Sequence, residues 1–231
     1  MAFTHFPKET VPFLKEIEKN NNKEWFEAHK ELYTALILEP SRAFVEEMGE
    51  HLQALVPTIN AIPKINQSLF RIYRDTRFSK NKTPIKSKIG IIFWEGRHIR
   101  MQSSCFYLHF SPKELLVASG IRTFDPDLLA AYRDYIKIDA NREALHAILE
   151  ALSAKGYTIE EPYYKRLPSG FSKDISHAYL ARMKAVAVYH TLSPSLISDP
   201  KLIPELFKHF ENFLPLQQWL YHMTLTKKEI V

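Results

Sequence analysis

Cysteine and glycine are both scarce: Cys105 is the only thiol among 231 residues, and glycine occurs six times. A single cysteine forms no internal disulfide, so disulfide-stapled scaffolds and CxxC zinc sites are excluded together. The few glycines contain no GxG and no GxxxxGK[ST]. This removes the dinucleotide fingerprint and the phosphate-cradling P-loop. GxSxG, HExxH and HxH are missing as well, and the ten histidines show no ligand spacing, so neither a metal nor a cofactor is expected. No apolar run approaches the roughly 18–20 residues of a membrane helix, and no membrane role is expected. The first twenty residues lack the continuous apolar core of a signal peptide. The expected compartment is therefore reducing and cytoplasmic.

What the chain does have is 45% hydrophobic and 13% aromatic residues, the composition of a folded protein. It also has one concentration of charge. Between Arg71 and Lys88 stand seven cations (Arg71, Arg74, Arg77, Lys80, Lys82, Lys86 and Lys88) and one acid, Asp75. The segment carries +6 in a chain of net +5, which leaves the remainder at −1. Leu69, Phe70, Ile72, Tyr73, Phe78 and Ile85 are interleaved with the charges, unlike a disordered basic tail.

Read as a strand, the segment puts Phe70, Ile72 and Phe78 on one face and Arg71, Tyr73, Asp75 and Arg77 on the other. Asp75 would then orient Tyr73 or Arg77, leaving guanidinium forks for an outside anion. Asn81 and Pro84 mark the loop that carries Lys80, Lys82 and Lys86. The bland reading is a solvated, charged strand with a basic turn. Against it stands the mutual repulsion of seven like charges.

Residues 9–57 read as helices. Thr10 is expected to cap the first, and Asn21 with Glu24 the second; Pro40 should divide the second from a third. Residues 66–121 read as an antiparallel meander: the basic strand, then 89–95, 104–110 and 114–121. In the third strand Tyr107 and His109 share the polar face with Cys105. If that face meets the basic strand, Tyr107, His109 and Asp75 become candidates for proton transfer and ligand orientation.

Asp125-Pro126 opens a further helix that carries Arg133, and Gly156 ends the next one. The Asp125-x-Asp127 spacing is better explained by capping than by a metal. Lys165 and Arg166 form a second, smaller basic turn. Strand 185–192 and a terminal helix interrupted near Pro215 complete the pattern. The expectation is one α+β domain spanning 1–231, with N-terminal helices packed on a mainly antiparallel sheet and further helices from the C-terminal half.

Several stretches resemble a family of unknown function, domain of unknown function 2461. RIYRDTRFSKNKTPIKSK is similar to its basic hallmark, and NNNKEWFEAHKELY to its early aromatic motif. CFYLHF, Leu129–Ile136 and KRLPSGF match further motifs, so the likeness covers about residues 6–213. Asn81, Ile85, Ser169 and Ser176 depart from the usual Asp, Tyr, Lys and Asp. The resemblance implies a mixed α+β domain and supplies no catalytic residue.

The function expected from the residues is binding of a small phosphorylated or carboxylated ligand. It would use Arg71, Tyr73, Arg74, Arg77, Lys80, Lys82 and Lys86, with Arg133, Lys165 and Arg166. The alternative is a nucleic-acid backbone on the same segment, with Tyr73, Phe78 and Tyr107 as stacking faces. The reaction, if there is one, and the oligomeric state are not specified by the sequence.

Overall fold

The computed structural model describes residues 3–96 and 99–226. The fold is α+β, built on a six-stranded antiparallel sheet of order β1-β2-β3-β4-β6-β5. The strands are β1 (Ile59–Asn60), β2 (Ile89–Glu95), β3 (Cys105–Phe110), β4 (Leu115–Ile121), β5 (Thr158–Ile159) and β6 (Val186–Leu192). At one edge β5 pairs with β6 in the register Thr158↔Tyr189 and Ile159↔Val188. Among the described residues no helix is long and apolar enough to cross a membrane.

The chain divides into two compact units. One comprises the chain up to Phe93 with Tyr107–Val117 and Thr191–His209; the other comprises Trp94–Phe106, Ala118–His190 and the chain from Phe210 onward.

The first unit is headed by α1 (Thr10–Lys19), α2 (Lys23–Ala28), α3 (Lys30–Tyr33) and α4 (Glu39–Leu55). Pro40 does not divide this run. The chain stays helical through a single π turn, Thr34–Leu38, and Pro40 falls in the first turn of α4. A proline has no N–H for the carbonyl four residues back, here that of Leu36. The Thr10 hydroxyl takes its place, donating to the Leu36 carbonyl at 2.8 Å. Thr10 is therefore not the cap expected of it; Glu9 occupies that position without a side-chain bond.

Asn22, not Asn21, caps α2, accepting from the Trp25 amide at 2.8 Å. The layer's apolar stripes meet the sheet through Phe44 against Phe93 at 6.3 Å and Phe6 against Phe110 at 4.8 Å between ring centroids. Ile72, Leu108 and Phe110 are buried in this unit, as their positions suggested, whereas Phe70 is only half-buried.

The second unit contains α5 (Pro126–Lys137), α6 (Asp139–Ala154) and the larger part of α7 (Leu202–Leu225). Asp125 caps α5 by accepting from the Leu128 amide at 2.7 Å, the role its position predicts. Gly156 has a φ of +85° and closes α6. Pro215 lies inside α7 without interrupting it. Its neighbours Phe213 and Leu216 are fully buried, and that packing outweighs the lost hydrogen bond. Phe106 of β3 packs on Phe210 of α7 at 5.2 Å.

Gly120 is the one position in β4 where a side chain has no room. Its φ is +133°, and a Cβ there would lie 2.2 Å from the Val186 carbonyl oxygen.

Candidate functional site

The basic segment is not a strand of the sheet. Its first residues make one antiparallel bridge to β2, with the Phe70 amide donating to the Gly90 carbonyl at 3.1 Å and the Ile92 amide to that of Ser68 at 2.9 Å. The chain then leaves the sheet and doubles back. Arg74 donates to Pro84 and Lys86 to Ile72 through their backbones, so Ile72–Arg74 and Pro84–Lys86 are the legs of a short hairpin with its tip at 75–83. The even–odd pattern fails for a physical reason. Seven cations within eighteen residues repel one another, and a projecting hairpin spreads them into water.

The root of the hairpin is tied down. Ile72 and Ile85 are buried. The Asn21 side chain donates to the Ile85 carbonyl at 2.9 Å and accepts from its amide at 3.0 Å, which explains why Asn21 is not free to cap α2. Tyr73 donates to Glu27 at 2.5 Å and meets Phe26 edge-on, and the Ser87 hydroxyl donates to Glu18 at 2.8 Å. The hydrogen bond from Tyr73 lowers the Glu27 carboxyl, and the same bond pushes the Tyr73 phenol up to about 12.

Several cations serve the hairpin itself. Irregular backbone leaves carbonyls without ladder partners. Arg74 Nε donates to Thr83 O at 3.1 Å, Lys82 Nζ to Thr76 O at 2.8 Å and Lys86 Nζ to Arg71 O at 2.9 Å. Asp75 is shared by two guanidinium groups, that of Arg77 at 2.8 Å and that of Arg71 at 3.7 Å. The hydrogen bonds from Arg77 hold the Asp75 carboxyl down to about 2, so Asp75 acts as an ion-pair latch. It faces Arg77, as the sequence suggested, but not Tyr73, whose partner is Glu27.

The pairing leaves the cations in solvent: the side chains of Arg71 and Arg77 are 54% and 77% exposed. Lys80 has no hydrogen-bond or ion-pair partner among the described residues. Phe78, which the strand reading puts on one face with Phe70 and Ile72, is 95% exposed, with the Arg77 guanidinium 5.9 Å from its ring centre.

Tyr107 and His109 lie beside the root of the hairpin. Gly90 of β2 makes the room: a Cβ there would come within 3.0 Å of the Tyr107 hydroxyl and 3.1 Å of the Phe70 ring. His109 is buried and shares its Nε2 hydrogen with Glu114 at 2.9 Å, while Lys88 approaches the same carboxylate at 3.6 Å. The His109 hydrogen bond is the main reason the Glu114 carboxyl sits below its ordinary range. Sequence reasoning missed Glu114 and Glu27 as members of this region. Both are ordinary acids on surface-like positions, and only the fold brings them to Lys88 and Tyr73.

Arg133, Lys165 and Arg166 belong to the second unit. Arg133 stacks on Tyr164 at 5.1 Å, Lys184 lies 3.7 Å from the centre of the Tyr163 ring, and Lys165 and Arg166 follow in an exposed turn. The same unit holds a network the sequence did not reveal. Arg142 is 3% exposed and donates to the carbonyls of Ile136 and Ser176 and to the Asp139 carboxylate. Next to it Glu143 accepts from Ser176 at 2.5 Å and pairs with His177 at 3.0 Å. His177 has a φ of +51°, and its ring stacks on that of His146 at 3.4 Å. The hydroxyl of Ser176, where the family pattern usually has aspartate, thus supplies a donor to Glu143 where a second carboxylate would repel it.

A family model described as conserved hypothetical protein (DUF2461) matches residues 9–219 of the chain. No curated protein matches it.

Proposed function

From the premise that this chain belongs to the conserved hypothetical family DUF2461, which brings no activity with it, we propose that it binds phosphate- or carboxylate-bearing ligands through the basic hairpin. The observation that carries the reading is the division of labour along the hairpin. Its root is fastened by Asn21, Glu27 and two buried isoleucines, while its tip holds Arg77, Lys80 and Lys82 in solvent around a single carboxylate. Asp75 neutralises one of the two guanidinium groups it touches, so the tip retains net positive charge. Exposed ion pairs of this kind contribute little, and an incoming anion can displace them. Arg77 uses Nε and Nη2 on Asp75, and the rest of its fork faces outward.

The test is a thermal-shift series with inorganic phosphate, tripolyphosphate, a nucleoside triphosphate and citrate. Binding to the folded state raises the midpoint with ligand concentration. The expected result is a rise for the phosphates that shrinks in a K80A variant with unchanged melting in plain buffer. No rise with any of these anions, or an equal rise in the variant, overturns the proposal.

A further inference from the structure

We infer that the partner of the hairpin is a single-stranded nucleic acid, read through its phosphates by the tip cations and through one base by Phe78. The inference rests on the anion-binding reading above and deepens it. Isolated apolar side chains on a surface need no explanation, and several exist here. Phe78 differs in degree and in surroundings. It is 95% exposed, against 76% for Ile99, the next most exposed large apolar residue among those described. It also stands at the centre of the tip, between Arg77 and Lys80. Leaving a phenylalanine in water forgoes the stabilisation that burying its ring would give. The hairpin offers it no partner but the Arg77 guanidinium, 5.9 Å from the ring centre.

Small anions have no use for this ring. A nucleotide strand has two kinds of surface, charged phosphates and flat apolar bases, and the tip presents the complement of both. In a duplex the bases are stacked on one another, and separating them is costly. In a single strand a base face is available, and stacking on an aromatic side chain favours binding without regard to sequence. The Arg77 guanidinium beside Phe78 can add a cation–aromatic contact to a base that reaches the ring.

The salt response follows from the number of cations engaged. For single strands log K falls by about 0.7 per phosphate neutralised for each unit of log salt. With Arg71, Arg77, Lys80 and Lys82 engaged, the slope is about −2.8.

The experiment is fluorescence anisotropy of the whole chain with labelled oligo-dT and oligo-U, the matching duplex, tripolyphosphate as competitor, and phosphatidylserine vesicles in parallel. The expected result is single-strand binding that exceeds duplex binding, with the slope above. F78A weakens it about tenfold at unchanged slope. K80A/K82A flattens the slope by about 1.4. If tripolyphosphate displaces the strand but F78A binds it as well as the parent, the strand-specific inference falls while the anion site stands. If vesicles bind in a Phe78-dependent way and the oligonucleotides do not, the partner is a lipid surface and the inference falls. If no probe binds, both readings fall together.

Discussion

Tyr73 donates its phenolic hydrogen to Oε1 of Glu27 at 2.5 Å, joining the root of the basic hairpin to helix α2 across 46 positions of sequence. The bond needs an ionised carboxylate and a neutral phenol. Glu27 is depressed below its ordinary 4.5, so its contribution is present above that value and lost as pH falls through the folded-state pKa. Tyr73 is raised from 10.0 to about 12, so its contribution is complete below 10.0 and lost as pH rises through about 12. Tyr73→Phe is expected to speed tryptic cleavage at Arg77, Lys80 and Lys82 near neutral pH. It should also remove one of the late-titrating tyrosines from an ultraviolet absorbance titration. Unchanged cleavage would show that Asn21 and the buried isoleucines suffice to hold the root.

Glu114 gives a second pH signature. Its carboxyl lies below the ordinary 4.5, chiefly through the hydrogen bond with His109. The stabilisation is therefore present above that value and disappears as pH falls through the folded-state pKa. Glu114→Gln is expected to lower the urea midpoint near neutral pH, and the gap to the parent should narrow as pH falls below 4.5. A gap that stays constant across this range would assign the loss to packing.

In the second unit Arg142 satisfies carbonyls at the end of α5 and in the turn at Ser176 from a position 3% exposed. Arg142→Met fills the space and leaves those acceptors without donors, at about 1–3 kcal/mol for each one that stays buried. The expected loss of unfolding free energy is about 3 kcal/mol or more, measured by urea denaturation. A neutral outcome would mean that water replaces the guanidinium.

Gly120→Ala places a methyl group 2.2 Å from the Val186 carbonyl in a backbone with φ of +133°. Backbone strain and overpacking each cost about 1–3 kcal/mol. The variant is expected to lower the melting temperature by about ten degrees or to accumulate as insoluble protein.

Much of this architecture was legible in the residues. Asp125 and Gly156 carry local signals, a cap and a left-handed terminus, which tertiary contacts leave intact. The strands from 89 to 121 were marked by alternation and apolar runs. The misreadings share a cause: a long-range partner outbid a local preference. Thr10 has the look of a cap but answers the Leu36 carbonyl, which Pro40 leaves without a donor. Asn21 has the look of a capping box but serves Ile85, 64 positions away. Phe78 matches the apolar phase of a strand that the charge around it does not allow to form. The cations were visible from composition alone. Their division into hairpin fasteners and solvent-facing groups was not, because it depends on which backbone carbonyls the folded chain leaves over.

Cys105 gives this protein a built-in clock. Its thiol donates to the Gly120 carbonyl at 3.1 Å, and burial pushes its pKa up to about 12. The thiolate needed for alkylation is then almost absent from the native state at neutral pH. As the sequence holds no other cysteine, alkylation reports on this one place, the start of β3 beside β4. The rate of mass gain with iodoacetamide therefore follows the fraction of time the thiol is released from Gly120 and ionised, with no engineered probe.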